Sequence, residues 1–130
     1  MAIFDEAVVG QFIFEQLATN IGSNVYFNRA DKDATFPYAV FNMLNAFQQE
    51  GTGTEFMLEF DIWHNKGNQI TDLLKLQKKI QVFLHKRVCQ NSELSLFFNL
   101  ESTLNLDFTQ EEQIRRRQLR FLVQYNNNEE

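Results

Sequence analysis

Apolar side chains recur at two different spacings along this chain, and the switches between them mark its elements. In residues 3–20, Val9, Ile13 and Leu17, with Phe4, Val8 and Phe12 beside them, follow a helical repeat, while Asp5, Glu6, Glu15 and Gln16 fall largely opposite. The spacing predicts a helix with a wide apolar stripe that closes near Gly22. Val25, Tyr26 and Phe27 read as a short strand, and the polar stretch NRADKDAT follows as a loop. Pro37 has no N–H to donate and biases Phe36 toward an extended backbone, so it suits a strand entrance. Residues 38–44 are apolar on both pleat faces apart from Asn42, as in a strand covered on both sides.

Residues 45–54, with Gly51 and Gly53, read as a polar connection. Phe56, Leu58, Phe60 and Ile62 then alternate with Met57, Glu59, Asp61 and Trp63, the clearest strand of the chain. Between residues 65 and 88 the period returns to that of a helix through Ile70, Leu73, Leu74, Ile80, Phe83, Leu84 and Val88, with Gly67 or Asn68 able to cap its start. Lys75, Lys78, Lys79, Lys86 and Arg87 lie on or beside its water face, mostly in the later half, where positive charge suits the helix dipole. After a turn at residues 90–92, the even positions Leu94, Leu96, Phe98, Leu100, Leu104, Leu106 and Phe108 keep period two, with Ser102 the polar exception. Two strands, or one long bent strand, are expected there. Residues 114–125 form the last strand, with Leu119, Phe121, Val123 and Tyr125 on one face and Arg116, Gln118, Arg120 and Gln124 on the other.

The predicted order is α-β-β-β-α-β-β-β. It describes an α+β domain, a mostly antiparallel β-sheet with two α-helices packed on one face. A single domain over residues 1–125 and a flexible tail over 126–130 are expected.

Composition narrows the function. The 130 residues carry a net charge of −5, so counterion release on a phosphate backbone does not drive the whole domain onto DNA or RNA. Cys89 is the only cysteine, which excludes an intramolecular disulfide and suits a reducing compartment. Asp5 and Glu6 stand where a secretory signal needs positive charge, and no apolar run approaches the roughly 18 residues of a membrane span. A soluble protein without a targeting signal is expected.

No catalytic pattern emerges. His64 and His85 lack partners at metal-ligand spacing, and surface or capping roles suit them. Asp107, Glu111 and Glu112 bring carboxylates together in what reads as a solvated turn. Phosphate-cradle and nucleophile-elbow patterns are absent, and five glycines are too few for the former. The run IRRRQLR has two readings: a strand end protected from aggregation by its charge, or a grip on phosphate or an acidic neighbouring subunit. In a strand Arg115 and Arg117 share one face while Arg116 and Arg120 share the other. Fourteen phenylalanines also have two readings. They fill an ordinary core under a folded-over strand, or some of them, with Phe97, Trp63 and Met57 on the face away from the helices, form an oligomer contact.

The segment VYFNRADKDATFPYAVFNML, the strand EFMLEFDIWHN with Asp61 two residues before Trp63, and the closing RRQLRFLVQY together resemble the tail-completion or tail-terminator (head–tail joining) family of long-tailed bacteriophages. The likeness runs over residues 4–125, although the glycine-poor, phenylalanine-rich composition departs from many relatives. It implies a non-enzymatic virion subunit without catalytic, cofactor or metal residues, assembled in the host cytoplasm into a ring, usually of six. Such a ring sits at the head-proximal end of the tail, ends tail-tube polymerisation and offers the capsid connector a docking surface. The implied partners are further copies of the chain, the tail-tube protein and the head–tail connector protein, with DNA passing through the ring and neither a membrane nor sequence-specific nucleic acid involved. Lateral contacts are expected from a sheet edge with Phe97, Trp63, Met57, Arg115 and Arg117. Axial contacts are expected from the loops at residues 28–35 and 45–54, the latter carrying Phe47 and Glu50. The neighbouring alternative is a connector or stopper on the capsid side. Remoter ones are a small cytoplasmic enzyme using Asp61, His64 or Glu111, and a single-strand nucleic-acid binder using an aromatic sheet face.

Overall fold

A computed structural model describes residues 5–48, 53–65, 70–106 and 115–127. Helix α1 (Glu6–Asn20) is followed by β1 (Val25–Phe27), β2 (Tyr38–Gln48) and β3 (Gly53–His64), then α2 (Thr71–Leu84), β4 (Val88–Gln90), β5 (Leu94–Asn105) and β6 (Arg115–Asn127). The order α-β-β-β-α-β-β-β and the α+β class are those the periodicity predicts. All six strands join one sheet in the spatial order β1-β2-β3-β6-β5-β4, antiparallel throughout except for the β1–β2 pair.

Asp5 caps α1, its Oδ1 accepting from the N–H groups of Ala7 and Val8 at 3.0 and 3.2 Å. The helix buries Val9, Phe12, Ile13 and Leu17, and α2 buries Leu73, Leu76, Ile80 and Leu84. Both stripes face one side of the sheet, where they meet Phe56, Leu58, Phe60 and Ile62 of β3 and Leu119, Phe121 and Val123 of β6 in a single buried cluster. A belt of aromatic rings crosses the strands beneath the helices: Phe27 stacks on Phe41 at 5.1 Å, and Phe60 lies 5.6 Å from Phe41 and 5.8 Å from Phe121. Most phenylalanines with described side chains are therefore ordinary core, and no strand among the described residues folds over the opposite face.

Two local departures from the expected elements, and a change of face within the one long bent strand that is the second alternative for residues 94–108, share one cause, tertiary pairing that outweighs local pattern. Strand β2 does not stop at Leu44. It continues through Gln48, with a register shift between Leu44 and Phe47, because β3 supplies partners in Glu55 and Thr54. Helix α2 ends at Leu84, short of Val88. Lys86 adopts a φ of 61°, its N–H donates to the Phe98 carbonyl, and the chain enters β4, where Cys89 is buried and Val88 exposed. Finally, residues 94–105 are one strand with a register shift between Leu100 and Ser102. One extra residue exchanges the two faces, so Leu104 points away from the core that an unbroken even-numbered repeat would give it.

Strand β6 continues past Tyr125, where Asn126 pairs with Gly53 and Ser95. Pro37 stands just before β2 as expected, its peptide bond with Phe36 is cis, and its carbonyl accepts from Asn24 Nδ2 at 3.2 Å.

Candidate functional site

The helix-free face of the sheet is the surface to which the sequence points, and strand parity dictates what lies on it. On β3 the even residues from Thr54 to His64 are buried toward the helices, so Glu55, Met57, Glu59, Asp61 and Trp63 take the other face. Register then places Gln124, Leu122, Arg120, Gln118 and Arg116 beside them on β6. Tyr38, Val40, Asn42 and Leu44 of β2 join from one side, and Phe97, Asn99, Ser102 and Leu104 of β5 from the other.

The centre of this face is a set of ion pairs within the chain. Arg120 Nε donates to Glu59 Oε2 at 2.9 Å. Arg116 donates to Asp61 Oδ1 through Nε and Nη2 at 3.0 and 2.8 Å, and Gln118 Nε2 donates to the same oxygen at 3.2 Å. The Arg116 guanidinium also lies 5.0 Å from the centre of the Trp63 ring. Half-buried positions and charge-assisted geometry make these stronger than an exposed surface pair. Around them lies an apolar rim. Val88 and Phe97 are paired across β4 and β5 and are 56% and 37% exposed, and Leu104 is 44% exposed. Toward the β1 side, Tyr26 and Tyr38 meet edge to face at 6.2 Å.

Met57, Trp63 and Phe97 thus share the helix-free face as expected. Arg115 and Arg117 do not join them: they are in register with His64 and Ile62 on the helix side, where Arg117 Nη1 donates to Asn105 Oδ1 at 2.6 Å. Phe47 belongs to β2, opposite Glu55, and not to a loop; its side chain lies outside the described residues. Glu50, Asp107, Glu111 and Glu112 also lie outside them, as do Gly67 and Asn68, proposed as caps of α2. Of the two readings of the arginine run, the grip on an acidic neighbour does not describe Arg116 and Arg120, whose carboxylates come from β3 of the same chain. Opposed charges on the outward parity of two strands were the signal for this.

Among the described residues, little else has the makings of a chemical site. His64 is buried at 3% exposure, not at the surface, and neither ring nitrogen has a hydrogen-bond partner among the described residues. His85 follows α2 as its C-cap, and its Nδ1 accepts from the Leu100 N–H at the β5 bulge at 3.0 Å. Burial pushes the Cys89 thiol above its ordinary value, the positive charge of Arg87 opposing this in part. No group of three metal-ligating side chains occurs among the described residues. A groove of about 500 Å³ between the end of α1 and α2 is lined by Asn20, Ile21, Lys75, Lys78, Lys79, Val82 and Phe83, which include no carboxylate, thiol or imidazole.

No protein-family model and no curated protein sequence matches the chain. Among solved structures, a chain from the virion of a native gene transfer agent (GTA) particle superimposes with a TM-score of 0.75 at 12% identity, over 95% of this chain and 99% of that one. At that identity the likeness is one of fold: a virion chain is built, nearly end to end, on the same arrangement of helices and sheet.

Proposed function

We propose that this protein is a structural, non-enzymatic subunit of a phage-like virion. It assembles into a closed ring of six at the head-proximal end of the tail, stops tail-tube polymerisation and presents the surface on which the capsid connector docks. The observation that carries this reading is the full-length fold likeness to a virion chain. It is supported by a sheet whose second face carries no helix among the described residues and is rimmed by Val88, Phe97 and Leu104. The partners are further copies of the chain, the tail-tube protein and the connector protein. Assembly takes place in the host cytoplasm, and the finished ring resides at the neck of the virion.

The test is light scattering coupled to size exclusion over a concentration series, with and without purified tail tubes. A discrete species near six times the 15.4 kDa chain mass, or capping of tube ends by the protein, supports the reading. A monomer at every concentration that leaves tube ends uncapped refutes it. Binding to filled capsids but not to tubes would move the subunit to the capsid side as a connector or stopper.

A further inference from the structure

The two edges of the sheet are cut to complementary shapes. Strand β1 covers β2 only along Ala39 to Phe41, and no strand among the described residues covers β2 beyond it. At the far edge β4 covers β5 only along Ser95 to Phe97. The turn after α2 extends that cover through Arg87 and Lys86, bonded to Phe98, and His85, bonded to Leu100, leaving Ser102 to Leu104 without a neighbouring strand among the described residues.

Following the registers straight across the sheet, Phe41, Phe60, Leu119 and Thr103 form one row, and Val40, Asp61, Gln118 and Leu104 the next. Phe27 and Tyr26 stand on those two rows at the β1 edge. By the same construction Val88 and Cys89 of β4 stand on the rows of Phe47 and Gln48. Each short strand therefore lies at the height of the stretch left bare on the opposite edge.

We infer that neighbouring subunits join edge to edge: β1 of one copy pairs antiparallel with β5 of the next, Phe27 opposite Thr103 and Tyr26 opposite Leu104, and β4 of that next copy lies beside Phe47 and Gln48 of the first. This rests on the ring reading and specifies its lateral contact. The backbone directions agree. Ala39 N–H donates to Asn24 O and Asn28 N–H donates to Phe41 O, so Asn24, Tyr26 and Asn28 turn toward β2 and Phe27 turns outward. Leu106 N–H donates to Arg116 O, so Leu104 turns toward β6 and Thr103 turns outward. Phe27 and Thr103 thus meet as a hydrogen-bonded pair, and the Phe27 carbonyl keeps one lone pair besides that taken by Arg29 N–H. Tyr26 and Leu104 meet as the close non-hydrogen-bonded pair, their side chains together on the helix-free face. The contact is heterologous and involves no sliding along the strands, which favours a rotation that closes over a filament.

Two experiments test it. In the first, Tyr26→Cys and Leu104→Cys chains are prepared separately, mixed in equal amounts under mild oxidation and run on non-reducing gels. A non-hydrogen-bonded antiparallel pair has Cα atoms about 4.5 Å apart, within disulfide reach. Within one chain the two positions are separated by four strand spacings of about 4.8 Å, so a bond between them joins two molecules. A dimer in the mixture exceeding that of either variant alone by about tenfold is expected, and the doubly substituted chain should give a covalent series ending at the ring size. In the second, Thr103→Pro removes the outward N–H of β5 while sparing its bonds to β6. It should weaken each junction by about tenfold with the far-UV dichroism unchanged. Ring mass without the Tyr26–Leu104 cross-link, or a Thr103→Pro ring as stable as the parent, overturns the inference and leaves the ring standing. Absence of any ring, in solution or on tail tubes, overturns both.

Discussion

Gly10 lies where α1 crosses β1, and its missing side chain makes room for an aromatic ring. A Cβ at this position would stand 2.3 Å from Cε2 and Cζ of Phe27 and 3.0 Å from Cε1, whereas ordinary contact begins near 3.4 Å. The ring has no easy retreat, because it is also stacked on Phe41 at 5.1 Å with planes 14° apart, and Phe41 is fully buried. Two effects therefore oppose each other in Gly10→Ala. Alanine favours the helix by about 1 kcal/mol, and overpacking a fixed neighbour costs about 1–3 kcal/mol. With the ring held from behind, the clash should win, for a net loss of about 1–2 kcal/mol.

The decisive arm is the same substitution in a Phe27→Leu background, where the clashing ring atoms are gone. There the helix term acts alone, so Gly10→Ala should stabilise by up to about 1 kcal/mol, and the cycle should show a coupling of about 2–3 kcal/mol between the two sites. Urea unfolding followed by far-UV dichroism reads all four proteins, with equal m-values required for the comparison. Protein concentration must be held constant, since any assembly adds to apparent stability. If Gly10→Ala raises stability by about 1 kcal/mol in both backgrounds, Phe27 does not hold the glycine in place and the reasoning fails.

Asp61→Ala removes the shared acceptor of Arg116 and Gln118 and should cost about 1–2 kcal/mol, less than for a fully buried pair because both partners keep some solvent contact. Trp63 is the only tryptophan and lies against Arg116, so its emission should shift in the same variant; unchanged stability and emission would count against the pairing. Asp5→Ala should lower stability by about 1 kcal/mol through loss of the α1 cap, with Asp5→Asn retaining most of it, as unfolding midpoints will show. Burial raises the folded Cys89 thiol above its ordinary value of 9.0, so its stability contribution is complete below that value and is lost as pH rises through the folded value. Between neutral and strongly alkaline pH the parent should therefore lose more stability than Cys89→Ala, and a thiol reagent at neutral pH should react slowly until urea unfolds the chain.

The elements most legible in the sequence are those whose faces see different surroundings along their whole length. Strand β3, and β6 from Leu119 onward, alternate strictly because one face meets the helices and the other does not, and the alternation alone places Met57 and Trp63 away from the core. Strand β4 was not legible, because Val88 continues the helical repeat of the residues before it and the conformation of β4 is set by the β5 edge, through Phe97, Leu96 and Ser95. The shift at Leu100 and Ser102 was hidden by composition: leucines at 100, 104 and 106 continue an even-numbered pattern that the backbone has abandoned. Arg116 and Asp61 are 55 residues apart, with α2 and two strands between them, so their pairing depended on knowing that β3 and β6 are neighbours.

That pairing bears on the lateral contact proposed above. Four arginines between Arg115 and Arg120 read, in the sequence, either as a charged strand end or as a cationic grip for an acidic partner. In the fold, Arg116 and Arg120 are held by Asp61 and Glu59, and Arg117 reaches Asn105, so a neighbour drawing on these side chains would first have to break contacts already made. Charge at the centre of the helix-free face is thereby made locally neutral, and in the proposed ring the lateral contact is left to backbone at the two edges and the apolar side chains Val88, Phe97 and Leu104 near one of them. Open edges are an aggregation hazard unless their extent is limited, and here β1 and β4 each cover part of an edge. A copy of the same chain fits the remainder by row and by direction, whereas a strand longer than the gap would meet the short strand already there. Edges limited in this way discriminate by length and position, which is the selectivity a ring of fixed size requires of its own subunits.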